Sequence, residues 1–122
     1  MLIGIDIVDI ARLKDVINRT PRFLKRVFTA QELDYCYMKK DPFPSLAARF
    51  AAREALYKLD CTFIRGLRFH DTEVIVDTDG KPQLLLHGDA LLRAQEADIN
   101  DFAISLSHGR DQAIAVVIAN KG

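Results

Sequence analysis

Residues 45–58, SLAARFAAREALYK, combine the small side chains of a closely packed helix with charges on two sides. On a helical wheel, Glu54 and Lys58 lie on one flank of an apolar stripe, and Arg49 and Arg53 lie on the other. The alanines form a broad face that lets another element approach closely. Glu54 and Lys58 have the spacing of an ion pair within one helix. The two arginines, which repel each other at this spacing, are either solvated or share an anion.

A second carboxylate, that of Asp6, stands in the middle of the apolar segment LIGIDIV, residues 2–8. In a strand, the three isoleucines of this segment point to one side, and Gly4 and Asp6 point to the other. A buried and unpaired carboxylate costs on the order of several kcal/mol, so Asp6 needs a hydrogen-bond donor, a cation or a metal. Asp9 is explained differently, as the N-cap of a following helix.

Asp6 and Glu54, with the basic side chains near Glu54, indicate magnesium-dependent chemistry on a phosphorylated ligand. Magnesium binds one or two protein carboxylates together with water and phosphate oxygens. Phosphoryl transfer requires little beyond such positioning and charge stabilisation. Nothing in the sequence alone brings Asp6 to Glu54. The scattered histidines lack zinc spacing, and no Walker loop, dinucleotide fingerprint or Gly-x-Ser-x-Gly elbow is present.

The pattern of apolar residues, caps and turns predicts the elements that position these groups. They are a buried strand at 2–8, helices at 10–18 and 21–28, a helix to about 39 that opens with the capping box Thr29-Ala30-Gln31-Glu32, a helix at 46–59 capped by Ser45, strands at 69–76 and 82–87, a helix at 88–97, and a hairpin of 102–107 with 112–119. This order predicts an α+β fold in which a mostly antiparallel sheet packs against the long central helix.

The length and charge of the chain narrow the possible classes of protein. Residues 1–122 fit a single domain with one modest core. Equal numbers of basic and acidic residues, 17 of each, argue against a general nucleic-acid binder. Basic residues concentrate in 12–26, which is either a solvated face or a surface for an acidic partner. No membrane span or signal peptide is evident, so we expect no membrane association and a cytoplasmic location.

Several segments of the chain resemble one known family, the holo-acyl-carrier-protein synthases, which are short 4'-phosphopantetheinyl transferases. The matching segments span nearly the whole chain in the family's order. They are Gly4-Ile5-Asp6-Ile7-Val8-Asp9-Ile10 with Arg12, Arg26-Val27-Phe28-Thr29 with Glu32, Arg49-Phe50-Ala51-Ala52-Arg53-Glu54-Ala55 with Lys58, Gly80-Lys81-Pro82, and Ile104-Ser105-Leu106-Ser107-His108.

The resemblance implies a fold, a reaction and an assembly. The fold is that of the 4'-phosphopantetheinyl transferases, and the family forms trimers with active sites between neighbouring subunits. In the reaction, a serine of an apo acyl carrier protein attacks the β-phosphate of coenzyme A. Phosphopantetheine moves to the serine, and adenosine 3',5'-bisphosphate leaves. Because two chains could build one site, Asp6 and Glu54 need not meet within one protomer.

The resemblance also implies roles for individual residues. Asp6, Glu54 and Lys58 would be catalytic, with Asp6 and Glu54 as the Mg²⁺ ligands and Lys58 as a phosphate contact. The other contacts to coenzyme A would be Arg49, Arg53, Lys81, Pro82 and His108. The acidic helix of the carrier protein would contact Arg12, Arg22, Phe23 and Arg26. The chain departs from the family after the central helix, where Leu59-Asp60-Cys61-Thr62 replaces a glycine-containing segment.

Two other functions remain open from the sequence. One is a magnesium-dependent phosphohydrolase that uses the same carboxylates on a nucleotide and needs no carrier protein. The other is a non-catalytic module that binds an acidic partner. The sequence leaves open which carrier protein is modified, whether Mg²⁺ or Mn²⁺ serves, and whether a metal-bound water, Glu54 or Lys58 takes the serine proton.

Overall fold

The computed structural model describes residues 1–122, and its elements follow the predicted order. They are β1 (Leu2–Asp9), α1 (Ile10–Arg19), α2 (Arg22–Val27), α3 (Ala30–Tyr37), α4 (Phe43–Leu59), β2 (Thr72–Val76), β3 (Pro82–Leu86), α5 (Gly88–Glu96), β4 (Ile99–His108) and β5 (Gln112–Lys121), with 3₁₀ turns at Cys61–Phe63 and Phe69–Asp71. The α+β class is therefore confirmed.

The strands form two antiparallel sheets. The larger has the order β1-β5-β4, and β2 and β3 form a separate hairpin. In the larger sheet Asp6 lies opposite Ala115 of β5. β1 and β4 are the two edges, so Asp6 and the end of β4 at His108 lie on opposite edges of the sheet.

Helix α4 packs on one face of the larger sheet through its alanines. Ala47, Ala51, Ala52 and Ala55 are fully buried, as the sequence predicted for a small-residue face. The closest approach is at Gly4 of β1, where a Cβ would lie 2.0 Å from the carbonyl oxygen of Ala55. Only glycine leaves room for the helix backbone at this position.

The single core predicted from chain length is wrong in detail, because the buried side chains form two clusters. One contains Ala51, Leu56 and other residues from the second half of α4, with β4 and β5. The other contains Leu46 and Ala47 from the first half of α4, with α1, α3 and Phe28. Both clusters therefore share α4. A single domain over 1–122 stays a prediction.

Several element ends differ from the predicted ones, and one predicted cap is confirmed. The capping box of Thr29 and Glu32 is confirmed. Ser45, however, is not a cap: α4 begins at Phe43, whose N–H donates to the carboxylate of Asp41 at 3.1 Å. Asp9 occupies the N-cap position of α1 without any side-chain capping bond. The segment 69–71 is a 3₁₀ turn that precedes β2.

β1 is not the buried strand that its composition indicated. Ile3, Ile5 and Ile7 are 63%, 57% and 53% exposed, on the face of the sheet away from α4. Composition cannot separate a strand buried on both faces from one with an uncovered apolar face. None of the α-helices combines the length and the apolar character needed to cross a membrane.

The close contact at Gly4 predicts a large effect from a single methyl group. We expect Gly4→Ala to lower the free energy of unfolding by about 1–3 kcal/mol, because the helix backbone must move to admit the Cβ. Urea unfolding measures this. Gly109→Ala is the matched control, since its Cβ would meet nothing within 4 Å. Equal stability of both variants and the parent chain would show that α4 is not constrained by Gly4.

Candidate active site

One cavity of about 590 Å³ brings together residues that are far apart in the sequence. Asp6 reaches it from β1, and Glu54 and Lys58 reach it from the facing flank of α4. Asp6 lies on the same side of β1 as Gly4, so the close approach at Gly4 sets how near the carboxylate comes to α4. Asp6 and Glu54, which nothing in the sequence alone brought together, line the same cavity within one protomer.

The ion pair in this cavity differs from the predicted one. Lys58 Nζ lies 2.7 Å from Asp6 Oδ1 and donates a hydrogen bond to it, whereas the sequence paired Lys58 with Glu54. This hydrogen bond, followed by the charge of Asp6, raises the pKa of Lys58. Lys58 therefore remains a cation at neutral pH. Its side chain is 58% exposed, so the pair is only partly shielded from solvent.

Glu54 is the perturbed acid of the site. Burial, and then the negative charge of Asp6, raise its pKa above 4.5, and Lys58 opposes this shift. Two carboxylates that line one cavity offer the kind of oxygen ligands that Mg²⁺ prefers. The chain gathers no group of three or more potential metal ligands. Asp6 and Glu54 thus fit Mg²⁺ only if water and substrate phosphates complete its coordination.

Arg53 does not fit its predicted contact with coenzyme A, because protein groups surround it. It is 1% exposed and forms an ion pair with Glu32 of α3. Its Nε donates to the carbonyl of Phe69 at 3.0 Å, and Nη1 donates to the carbonyl of Arg49 at 3.3 Å. The sequence left open whether this flank binds an anion. For Arg53 the anion is the carboxylate of Glu32 in the same chain.

Arg49 is also buried but lacks a carboxylate partner. Its Nη1 donates to the carbonyl of Ser45 at 3.2 Å, and its guanidinium lies 4.7 Å from the ring centre of Tyr35. Its Nε has no hydrogen-bond partner. Arg49 lines a separate cavity of about 230 Å³, which also contains Pro82 and His108.

The predicted coenzyme A contacts are therefore not gathered in one place. Lys58 lies in the first cavity, while Arg49, Pro82 and His108 line the second. Lys81 lines neither, although its neighbour Gly80 lines the second. The two cavities lie at opposite edges of the larger sheet, since Asp6 of the first cavity belongs to β1 and His108 of the second belongs to β4.

Two of the four predicted carrier-protein contacts line the first cavity. Arg12 of α1 and Phe23 of α2 line it beside Glu54. Arg22 is exposed but does not line this cavity, and Arg26 lines a different one. The basic segment 12–26 thus begins with Arg12 at the first cavity and extends away from that cavity along α2.

The sequence missed several residues that line these cavities. Asp9 and Gln112 line the first cavity, and Asp9 had been explained by helix capping alone. Tyr35 and Lys39 line the second cavity with Arg49. The register of β1 with β5, which places Asp9 opposite Gln112, and the packing of α3 on α4 are tertiary features without a local sequence signal.

The segment Leu59-Asp60-Cys61-Thr62, which lacks the family's glycine, leaves the helix through an extended aspartate. α4 ends at Leu59, and Asp60 is extended, with φ −160°. Its carboxylate accepts from the hydroxyl of Thr62 and from the backbone N–H of Thr62 at 3.1 Å, and these two hydrogen bonds, in that order, lower the pKa of Asp60. The first left-handed residue of this loop is Gly66, at φ +76°. The loop therefore needs no glycine at the helix end.

Residues 2–117 match the family model of the 4'-phosphopantetheinyl transferase superfamily. The chain belongs to this superfamily. It is 38% identical over 122 residues to the holo-acyl-carrier-protein synthase of Caldanaerobacter subterraneus subsp. tengcongensis, covering 100% of this chain and 96% of the relative.

Solved structures of this family share the fold. The ACPS–CoA complex of Chronobacterium ammoniagenes superposes with a TM-score of 0.87 at 27% identity, covering 99% of this chain and 97% of that one. The holo-acyl-carrier-protein synthase of Neisseria meningitidis gives 0.86 at 30% identity, covering 99% and 100%. The fold that the sequence resemblance implied is thus confirmed.

The raised pKa of Glu54 predicts how its replacement changes stability. The folded chain holds the Glu54 proton more tightly than the unfolded chain, so ionised Glu54 disfavours folding. We expect Glu54→Gln to be at least as stable as the parent at pH 7. This advantage is complete above the raised pKa of Glu54, shrinks as the pH falls from that pKa towards 4.5, and is absent below 4.5. Urea unfolding across this pH range measures it.

A metal arm and a control complete this experiment. MgCl₂ should stabilise the parent more than Glu54→Gln, because the variant has lost one of the two carboxylates. Glu96→Gln, at an exposed residue of α5, is the control and should keep the parent's response to MgCl₂. A Glu54→Gln variant that is less stable than the parent at pH 7 would contradict the assignment.

Proposed function

We propose that this protein transfers 4'-phosphopantetheine from coenzyme A to a serine of an apo acyl carrier protein. The products are holo acyl carrier protein and adenosine 3',5'-bisphosphate. The observation that supports the proposal most strongly is the first cavity, in which Asp6, Glu54 and Lys58 stand beside Arg12 and Phe23. The two acids of this cavity suit a cation bound to the phosphates of the donor. The basic and aromatic residues beside them suit the acidic protein that accepts the group.

The side chains of the cavity have separate roles in this proposal. Asp6 and Glu54 would hold Mg²⁺, which when bound would neutralise negative charge on the diphosphate of coenzyme A. Lys58 remains protonated, and its ammonium forms charge-assisted hydrogen bonds with the same phosphates. Arg12 and Phe23 place the carrier protein so that its serine faces the β-phosphate.

Lys58 is the weakest of the three proton acceptors considered from the sequence. Its pKa is raised, and its ammonium donates to Asp6, so it is a poor base. We therefore favour Glu54 or a metal-bound water over Lys58 as the group that takes the serine proton. A phosphohydrolase would use the same acids but has no need of a basic surface that extends beyond the cavity.

The first test is the intact mass of an apo acyl carrier protein incubated with this protein, coenzyme A and MgCl₂. We expect a gain of one phosphopantetheine that is abolished by chelator and by Glu54→Gln. Glu96→Gln should leave the gain unchanged. Adenosine bisphosphate released without carrier protein would favour the hydrolase, and an active Glu54→Gln would remove Glu54 from the mechanism.

We further propose that the protein acts as a homotrimer, with sites completed between subunits. The sheet face opposite α4 is apolar across β1 and β5, because Ile3, Ile5 and Ile7 lie opposite Ile118, Val116 and Ile114. An uncovered apolar face of this kind is typical of an interface. A cyclic contact that brings one subunit's β1 edge near its neighbour's β4 edge would join the first cavity to the one lined by Arg49 and His108. A cytoplasmic location also stays a prediction.

The apolar face gives a direct test of the assembly. We expect sedimentation velocity to give a mass of three chains for the parent and of one chain for Ile5→Glu, because a buried charge in each interface is costly. Ile64→Glu, at a loop residue that is 59% exposed, should remain trimeric. A parent that sediments as a single chain, or an Ile5→Glu variant with the parent's mass, would refute the trimer.

A further inference from the structure

A third cavity, of about 540 Å³, has no role in the chemistry described above. It is lined by Arg26, Leu67, Arg68, Phe69, His70 and Asp71. Arg26, Arg68 and His70 are exposed, while Asp71 is only 9% exposed. The mouth of the cavity is therefore basic, and its acid lies deeper.

The walls of this cavity are held by contacts that leave its arginines free. His70 Nε2 lies 2.9 Å from the carbonyl of Lys25 and joins the 3₁₀ turn to the end of α2. The carboxylate of Asp71 accepts from the backbone N–H of Arg68 at 3.1 Å. Neither Arg26 nor Arg68 forms an ion pair within the chain. Two guanidinium groups without an ion-pair partner thus line one cavity, in which the only carboxylate is that of the mostly buried Asp71.

Helix α2 connects this cavity to the active site. Phe23 lines the first cavity, and Arg26, three residues later, lines the third. Residues at this spacing lie on the same side of a helix. A partner that contacts Phe23 can therefore also contact Arg26 on the same helix, and Arg68 lines the same cavity as Arg26.

We infer that the third cavity receives acidic side chains of the carrier protein, with Arg68 and His70 extending the docking surface beyond α1 and α2. This inference rests on the proposed function. Leu67 and Phe69 give the cavity apolar walls beside its arginines, a mixture that is enriched at protein interfaces. The mixed walls and the link through α2 favour an acidic protein surface over a free inorganic anion.

The test compares charge reversals in steady-state transfer assays. We expect Arg68→Glu to raise the KM for carrier protein by about tenfold, with little change in kcat or in the KM for coenzyme A, because a like charge opposes docking. Arg68→Lys should stay within about twofold of the parent, since it keeps the charge. Lys40→Glu, an exposed charge reversal that lines none of the three cavities, should match the parent.

Arg12→Glu separates failure of this inference from failure of the proposed function. If Arg12→Glu raises the KM for carrier protein and Arg68→Glu does not, the docking surface ends at α2 and the inference is wrong. A rise in the KM for coenzyme A with Arg68→Glu would instead assign the cavity to a small anion and also overturn it. If the parent modifies no carrier protein, the proposed function fails and the inference fails with it.

Discussion

The approach of α4 to β1 at Gly4 is the constraint on which the site depends. The alanines of α4 let the helix lie close to the sheet, and the absence of a side chain at Gly4 admits the backbone of Ala55. Asp6, two residues along the same face of β1, consequently reaches Lys58 at 2.7 Å. The same packing that stabilises the core therefore places two acids and a lysine in one cavity, and a bulkier residue at position 4 would separate them.

The charges on the opposite flank of α4 have a different origin. Arg53 lies between α3 and the 3₁₀ turn before β2, where it pairs with Glu32. Glu32 also completes the capping box of α3 and accepts from the N–H of Val74 at 2.9 Å. A buried ion pair repays its desolvation only when its remaining donors and acceptors are satisfied, and here they are. This flank fixes how α3, α4 and β2 meet.

The sequence predicted those features that have local causes. The capping box at Thr29 and the hairpin of β4 and β5 depend on residues a few positions apart, so their patterns identified them. The exposure of β1, the structural role of Arg53 and the cavity position of Asp9 depend on partners that are distant in sequence. Wheel geometry placed Arg53 on the correct flank but could not distinguish an external anion from Glu32. Asp6 and Glu54 were linked only through the family resemblance.

The Lys58–Asp6 pair suits a site that must exchange partners during a reaction. The Lys58 side chain is 58% exposed, so water competes with Asp6 for its ammonium and weakens the ion pair. With a divalent cation bound, Asp6 would hold the cation in place of the ammonium, and Lys58 would be free to contact a phosphate of the substrate. Arg53 is enclosed with Glu32 and has no such freedom. The two flanks of α4 therefore differ: the buried pair on one flank holds neighbouring elements together, and the proposed function assigns the charges of the other flank to the ligand.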